Sequence, residues 1–146
     1  MWASPMGEPR FQHECLLRVR YSETDQMGTF YNSRALEWFE VGRTETLRAT
    51  GVSYAEMEKR GALLPLVEAA VRYEGRARYD DLLRVACAVG FAGKASLRFD
   101  MAITHADSAA PVAAGHTLHA ITDAAGRPTR APRWLIDVLQ AGKSAP

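Results

Sequence analysis

The stretch YSETDQMGTFYNSRALEWFEVGRTE, residues 21–45, decides the fold and contains the first candidate for a functional side chain. Between about residues 31 and 50 no proline occurs and Ala, Leu, Glu and Arg are frequent, which predicts a helix of roughly five turns, about 30 Å long. Asp25 precedes this helix, where unpaired backbone N–H groups and the positive end of the helix dipole converge. We therefore take Asp25 as a candidate nucleophile or base beside donors that can hold a substrate oxygen.

The acidic residues of this stretch also have structural interpretations. Aspartate before a turn and a helix commonly accepts backbone hydrogen bonds, and the residues nearest Asp25 by themselves favour that role. Glu23 is interpreted as a solvated loop charge. Glu40 lies among apolar helix residues, and a pairing with an arginine such as Arg43 is favoured over an acid or base role.

The long helix is followed by a capping pattern and then by a change of hydrophobic period. Gly51 is predicted to end the long helix, and Ser53 with Glu56 forms a capping box for a short helix that ends at Gly61. Beyond Gly61, apolar residues alternate with polar or small ones, which predicts strands that each bury one face. With an earlier segment of the same pattern, the predicted strands cover residues 14–20, 63–73, 83–91, 97–105 and 112–123.

The connections between these strands indicate the fold class. The breaks are too short for parallel crossovers, so the sheet is predicted to be antiparallel. One long helix followed by such a meander predicts an α+β fold, with the helix on the concave face of a single sheet. Residues 132–140 are predicted as a final short helix or strand. The open edge of the sheet favours pairing with a second copy.

The chain has 146 residues, which fit one domain, predicted at 14–140 with loose termini at 1–13 and 141–146. The formal net charge of +1 provides no global field for nucleic acid or an anionic membrane, so neither is expected as a partner. The N-terminus has no signal-peptide pattern, and no segment has the apolar length of a membrane span. These features predict a cytoplasmic protein.

Neither cysteines nor histidines form a metal-binding pattern. Cys15 and Cys87 lie far apart without metal-ligand spacing, and both are interpreted as reduced core residues. His116 and His119 are three residues apart, which places them on opposite faces of a strand. No metal site is expected.

Two blocks of residues carry a resemblance to a known family. They are Thr24-Asp25, Gly28, Tyr31-Asn32 and Glu40, and then Pro65, Val67-Glu68-Ala69, Tyr73, Ala77 and Tyr79-Asp80-Asp81, with Gly115-His116-Thr117 and Asp123 further along. Over roughly residues 14–138 the chain resembles the hot-dog-fold thioesterases of the 4-hydroxybenzoyl-CoA thioesterase family, which includes acyl-CoA thioesterases associated with the Tol-Pal system. The resemblance implies a long central helix wrapped by a single antiparallel sheet of five to six strands. It also implies an enzyme that hydrolyses an acyl-CoA thioester to free acid and CoA, without a cofactor.

The resemblance assigns roles to the residues of the first block. It implies that Asp25 is the catalytic carboxylate, either as a nucleophile that forms a mixed anhydride or as a general base that activates water. A backbone N–H near Tyr31 would polarise the thioester carbonyl, and Gly28 would let the loop pass close to the substrate. In this family the site lies between subunits, so a homodimer or homotetramer is implied.

CoA carries phosphates, which require cationic partners. Lys94, Arg127 and Arg130 are the candidates, because Lys94 matches a turn where family members place basic residues and the other two follow the Gly126 turn. Their alternative is a solvated surface role. Two other functions stay open: a non-catalytic protein that binds acyl-CoA and, ranked lower because its histidine motif is not found, a hot-dog hydratase or dehydratase.

Overall fold

The computed structural model describes residues 11–143 as an antiparallel sheet with helices packed against it. In chain order the elements are β1 (Phe11–Arg18), a 3-10 turn (Tyr21–Glu23), α1 (Arg34–Ala49), α2 (Tyr54–Lys59), β2 (Leu66–Tyr73), β3 (Leu82–Gly93), β4 (Ser96–His105), β5 (Pro111–Ala120) and α3 (Arg133–Lys143).

The strand order across the sheet is β1-β3-β4-β5-β2, and every neighbouring pair is antiparallel. The predicted α+β architecture with a single antiparallel sheet is confirmed, and within residues 11–143 the sheet has five strands. The 12 residues of β3 separate the two ends of the sheet by roughly 36 Å, at about 3.3 Å per residue. We call these the Leu82 end, where β2 finishes at Tyr73, and the Gly93 end, where β2 begins at Leu66.

Helix α1 lies close to the sheet because its buried flank contains large apolar side chains around a glycine. Trp38, Phe39 and Leu47 are at most 2% exposed. A Cβ on Gly42 would lie 2.5 Å from Cγ1 of Val85 on β3, so only glycine permits this helix-to-sheet distance. The helix begins at Arg34, about three residues later than predicted, and Gly51 follows its end with a φ of +98°, as predicted.

Helix α2 begins as the sequence predicts. The Ser53 hydroxyl accepts a hydrogen bond from the backbone N–H of Glu56 at 3.2 Å, and Gly61 follows the helix with a φ of +87°. The C-terminal segment is a helix rather than a strand. Since β1 begins at Phe11 and α3 continues to Lys143, the regular elements extend past the predicted 14–140 domain at both ends. Residues 1–10 and 144–146 of the predicted termini lie outside the described residues.

Strand β2 differs from its prediction. The alternation over 63–73 predicts one buried face, yet seven of the eight residues of β2 are exposed and Val71 is only partly buried. The physical reason is that the helices of the described chain cover little of β2. At the other edge of the sheet, β1 packs against α1 and α3 and keeps an alternating burial pattern. Leu66 and Val67 are 56% and 62% exposed.

Both cysteines are free thiols on the face of the sheet that α1 covers. Cys87 is buried beneath α1, where burial raises the pKa of its thiol to about 12 although a hydrogen bond with Thr46 opposes that rise. Cys15 is half-buried, and desolvation followed by the negative charge of Glu45 raises the pKa of its thiol. Within residues 11–143, no helix is long and apolar enough to cross a bilayer.

Candidate functional site

Asp25 lies in a tight turn directly before α1. Its backbone N–H donates to Thr29 O at 2.9 Å, and Gly28 N–H donates to Asp25 O at 3.0 Å. Gly28 has a φ of +83°, which explains the glycine, because other residues are strained there. The Asp25 Oδ1 accepts from Met27 N–H at 2.8 Å, so the structural role considered from the sequence is present. Among residues 11–143, Oδ2 has no hydrogen-bond partner and stays open for chemistry.

The turn is held against the loop that follows β2. Phe30 N–H donates to Ala77 O at 2.9 Å, and the Thr29 hydroxyl both donates to Ala77 O and accepts from Ala77 N–H, at 3.3 and 3.2 Å. Ala77 is fully buried. These bonds fix the Asp25 turn to the Leu82 end of the sheet.

The donors at the start of α1 are one residue later than the sequence suggests. The backbone N–H of Tyr31 donates to Glu23 O at 2.8 Å, so it is not available to a substrate carbonyl. The N–H groups of Arg34, Ala35 and Leu36 donate to carbonyls three residues earlier. In the part of the chain that the structure describes, those of Asn32 and Ser33 have no acceptor. They are the candidate donors for an oxyanion, and they lie at the positive end of the helix dipole.

Glu23 is a buried structural carboxylate rather than the solvated loop charge that the sequence suggested. It is 3% exposed, and it accepts hydrogen bonds from Arg20 N–H at 2.7 Å, Trp38 Nε1 at 3.0 Å and the Arg20 guanidinium at 3.3 Å. Burial alone would raise its pKa, but these hydrogen bonds together with the Arg20 charge lower it. Its carboxylate and its carbonyl thus tie the loop to two points of the helix segment.

Exposed aromatic side chains surround this turn. Tyr21 and Tyr79 pack edge to face with ring centroids 5.5 Å apart. The Tyr73 hydroxyl donates to Asn32 O at 2.7 Å, which places the end of β2 beside the start of α1. Tyr31 and Met27 are 54% and 68% exposed. An apolar rim of this kind is typical of a surface that contacts a ligand or a second protein.

The three predicted phosphate-binding cations are not brought together. Lys94 and Arg130 line one cavity of about 450 Å³ with Phe91, Ala131 and Ile136, among others. Arg127 lies outside that cavity lining, and its guanidinium Nε donates to Asp123 at 3.2 Å. The Lys94 cavity is at the Gly93 end of the sheet, whereas Asp25 is at the Leu82 end of the same chain.

Glu40 and Arg43 line a second cavity but form no contact ion pair, because no nitrogen–oxygen distance of 4.0 Å or less joins them within the described residues. Their attraction acts over a longer distance. His116 and His119 lie on opposite faces of β5, as predicted. His119 is buried under Leu64 and Phe99, whereas His116 contacts Glu68 at 2.6 Å.

Comparisons with known proteins agree with this architecture. Residues 19–141 match the family model described as the thioesterase-like superfamily. YneP of Bacillus subtilis, described as an acyl-CoA thioesterase, is 43% identical over 65 residues, which are 44% of this chain and 47% of that protein. The match thus spans about half the length of that relative.

Two solved structures share the fold. A 1,4-dihydroxy-2-naphthoyl-CoA thioesterase from Synechocystis superposes with a TM-score of 0.83 at 20% identity, covering 92% of this chain and 99% of the other. The DHNA-CoA thioesterase from Staphylococcus aureus superposes with a TM-score of 0.78 at 26% identity, covering 87% and 85%. The predicted hot-dog fold is confirmed. Because the family model covers most of its length, the chain belongs to the thioesterase-like superfamily.

Proposed function

We propose that this protein hydrolyses acyl-CoA thioesters to the free acid and CoA, with Asp25 as the catalytic carboxylate. The observation that carries the proposal concerns groups without partners in the described chain: an Asp25 oxygen, in the turn that precedes α1, and the backbone N–H groups of Asn32 and Ser33 at the start of that helix. Relatives described as acyl-CoA and DHNA-CoA thioesterases support the thioester as substrate. The free thiols of Cys15 and Cys87 suit the reducing cytoplasm where we place the reaction.

The arrangement suits two routes to the same products. The N–H groups of Asn32 and Ser33 would bind the thioester oxygen as negative charge develops on it. In the first route, Asp25 attacks the carbonyl carbon, the CoA thiolate leaves, and water then hydrolyses the mixed anhydride. In the second, Asp25 accepts a proton from a water molecule that attacks the carbonyl directly, the carbon–sulfur bond breaks, and the leaving CoA thiolate takes up that proton. Both routes need the unpartnered oxygen of the Asp25 carboxylate, so both are lost when an amide replaces that carboxylate.

We infer that the working molecule contains at least two copies paired through β2. This strand is an exposed edge, and apolar residues continue from it onto α1, where Leu36 and Val41 are 43% and 40% exposed. A two-fold axis that pairs an edge strand with its own copy makes the pair antiparallel. The Leu66 end of one β2 then lies beside the Tyr73 end of the other.

This pairing gives Lys94 and Arg130 a role that they do not have within one copy. Antiparallel pairing brings the Gly93 end of one copy next to the Leu82 end, and thus the Asp25 turn, of the other. From one β2 to the β3 of the second copy there are four strand spacings, roughly 19 Å. We propose that Lys94 and Arg130 of the second copy bind the CoA phosphates, as cations beside an apolar wall. Arg127, held by Asp123, is the weakest candidate of the three.

The central claim is tested with Asp25→Asn, measured as free thiol released from a panel of acyl-CoA substrates. Loss of the nucleophile or base is expected to lower kcat by roughly 100-fold or more. Asp107→Asn is the matched control, because Asp107 also accepts a backbone N–H in an exposed turn. Thermal unfolding midpoints of both variants equal to that of the wild type show that folding is retained. Wild-type-like turnover in Asp25→Asn, or a wild type that binds acyl-CoA without releasing thiol, contradicts the proposal.

A further inference from the structure

A second cavity, of about 260 Å³, lies between α1 and the Gly93 end of β2 and β5. Three leucines form the apolar part of its wall, and the rest of the lining is polar or charged. The lining residues are Glu40, Arg43, Thr44, Leu47, Tyr54, Leu64, Leu66 and His119. The cavity has the size of a small organic group rather than of a whole CoA. None of its residues belongs to the Asp25 turn.

Arg43 is the unusual member of this lining. Its side chain is partly buried, and among residues 11–143 it has neither a hydrogen bond nor an ion pair within 4.0 Å. Burial lowers the pKa of its guanidinium, and the charge of Glu40 is the main opposing influence. A partly buried cation without a contact partner is costly, and an anionic ligand group would remove that cost.

His119, the other basic residue of the lining, is neither a partner for Arg43 nor a second positive charge. His119 Nδ1 lies 2.9 Å from Leu64 O and Nε2 lies 3.0 Å from the Thr117 hydroxyl, so both ring nitrogens are used. Desolvation lowers the pKa of His119 to about 4, although its hydrogen bond to Leu64 opposes the shift, so the ring is neutral near pH 7. Arg43 is therefore the positive group of this cavity at neutral pH.

The cavity adjoins the Asp25 site once two copies pair as proposed. Leu66 lines the cavity. With the two-fold axis at the middle of β2, antiparallel pairing places Leu66 of one copy beside Tyr73 of the other. Tyr73 in turn binds Asn32 O next to the Asp25 turn. In such a pair, Leu64 and Leu66 line a path from that turn toward the second copy's cavity.

Building on the proposed thioesterase function, we propose that this cavity holds the far end of the acyl group, and that Arg43 selects acyl groups that end in a carboxylate. The substrates of this class are CoA monothioesters of dicarboxylic acids. Leu47, Leu64 and Leu66 contact the methylene chain, and the guanidinium of Arg43 forms a charge-assisted hydrogen bond with the terminal carboxylate.

Substitutions of Glu40 and Arg43 are expected to change recognition of the terminal carboxylate in opposite directions. It is exposed and attracts Arg43 without touching it, so its charge weakens the field that a terminal carboxylate meets. Removing the charge of Glu40 therefore improves recognition of the carboxylate, whereas removing the charge of Arg43 destroys it. A merely structural role for the two residues does not produce opposite changes.

The test compares acyl groups of equal length with and without a terminal carboxylate: butanoyl and succinyl, hexanoyl and adipoyl, octanoyl and suberoyl. The wild type is expected to hydrolyse the carboxylate member of at least one pair with the higher kcat/KM. Arg43→Met is expected to lower that ratio by roughly tenfold or more, the value of one charge-assisted hydrogen bond. Arg43→Lys keeps part of the preference, and Glu40→Gln raises it. Arg48→Met is the control, because Arg48 is an exposed α1 residue paired with Glu45 outside the cavity.

The outcomes separate this inference from the proposed function. A wild type that hydrolyses the methyl-ended member of every pair better, or an Arg43→Met variant with an unchanged ratio, overturns the inference and leaves thioester hydrolysis intact. If no thioester is hydrolysed, calorimetric binding of the same CoA pairs to Asp25→Asn still decides it. Tighter binding of the carboxylate member, lost in Asp25→Asn with Arg43→Met, supports the inference, and equal binding contradicts it.

Discussion

Glu23 connects the Asp25 turn to α1 through two different groups. Its buried carboxylate accepts hydrogen bonds from Trp38 Nε1 and from Arg20, and its carbonyl accepts the N–H of Tyr31. Using the Tyr31 N–H in this way leaves the N–H groups of Asn32 and Ser33 as the open donors of the helix start. In the proposed site, Glu23 thus determines which backbone donors face the substrate.

The pH dependence of folding provides a test of this role. The pKa of Glu23 is lowered in the folded protein from its ordinary value of 4.5, so its ionised form stabilises the fold above that value, and this contribution is lost as the pH falls through the folded pKa. Glu23→Gln is expected to lower the free energy of unfolding by about 1–3 kcal/mol at pH 7, measured by urea denaturation. The difference from wild type shrinks as the pH falls below the ordinary value.

Glu58→Gln is the matched control, since Glu58 is an exposed residue of α2. Equal stability of Glu23→Gln and wild type at pH 7 contradicts the assigned role. A difference that persists undiminished in acid also contradicts it, because the ionised carboxylate is then not its source.

Single residues also mark what the sequence could and could not predict at the site. The hydrogen-bonding turn at Asp25 is predictable because aspartate before a turn and a helix forms local contacts, whereas the site roles of Asp25 and Gly28 come from the family resemblance and stay predictions. The burial of Glu23 was missed because its partner Trp38 is 15 residues away in sequence and reaches it only when the helix is folded. The same contact network moves the open donors from Tyr31 to Asn32 and Ser33.

At the scale of elements, the position of α1 depends on Gly42. In an isolated helix, replacing glycine with alanine is stabilising by up to about 1 kcal/mol. Here the added methyl group would meet Val85, a fully buried and β-branched residue of β3. Gly42→Ala is therefore expected to destabilise the protein by about 1–3 kcal/mol, measured by thermal or urea unfolding.

The double variant Gly42→Ala with Val85→Ala provides the control for this prediction. If the steric contact is the cause, the double variant loses less stability than the sum of the two single variants. Strict additivity, or a more stable Gly42→Ala, contradicts the assignment of the helix-to-sheet distance to this glycine.

Local sequence patterns predict which segments form helices and strands better than they predict which faces of those elements are buried. The long helix is predicted from its composition and the absence of proline, and the strands from a period of 2.0, because these are properties of neighbouring residues. Whether an apolar strand face is covered depends on the place of the strand in the sheet, which periodicity does not contain. β2 has the alternation of a half-buried strand and is an exposed edge, and that difference is one support for the proposed pairing of two copies.

At the scale of the whole molecule, each proposed site combines Asp25 of one copy with Lys94 and Arg130 of another. A mixture of two inactive variants tests this arrangement: Asp25→Asn, and the double variant Lys94→Ala with Arg130→Ala. Unfolding the two proteins together and refolding them forms mixed dimers, in which one site has both the carboxylate and the cations. Thiol release is expected to rise well above that of either variant alone, toward about a quarter of wild-type activity if copies pair at random.

The same mixture identifies the opposite arrangement. If Asp25 and the cations of one chain served the same site, no mixed dimer would contain an intact site, and refolding would restore nothing. The two variants mixed without unfolding are the control for contamination and for simple addition of residual activities.

The reactivity of the Cys87 thiol reports whether α1 is packed on β3. Because its pKa is raised to about 12 beneath Thr46, the folded protein presents almost no reactive thiolate there near neutral pH. An alkylating reagent can modify Cys87 only during moments when the helix leaves the strand, whereas half-buried Cys15 does not require that opening. The rate at which Cys87 is alkylated therefore reports how often the core opens locally, and the rate for Cys15 serves as the internal reference.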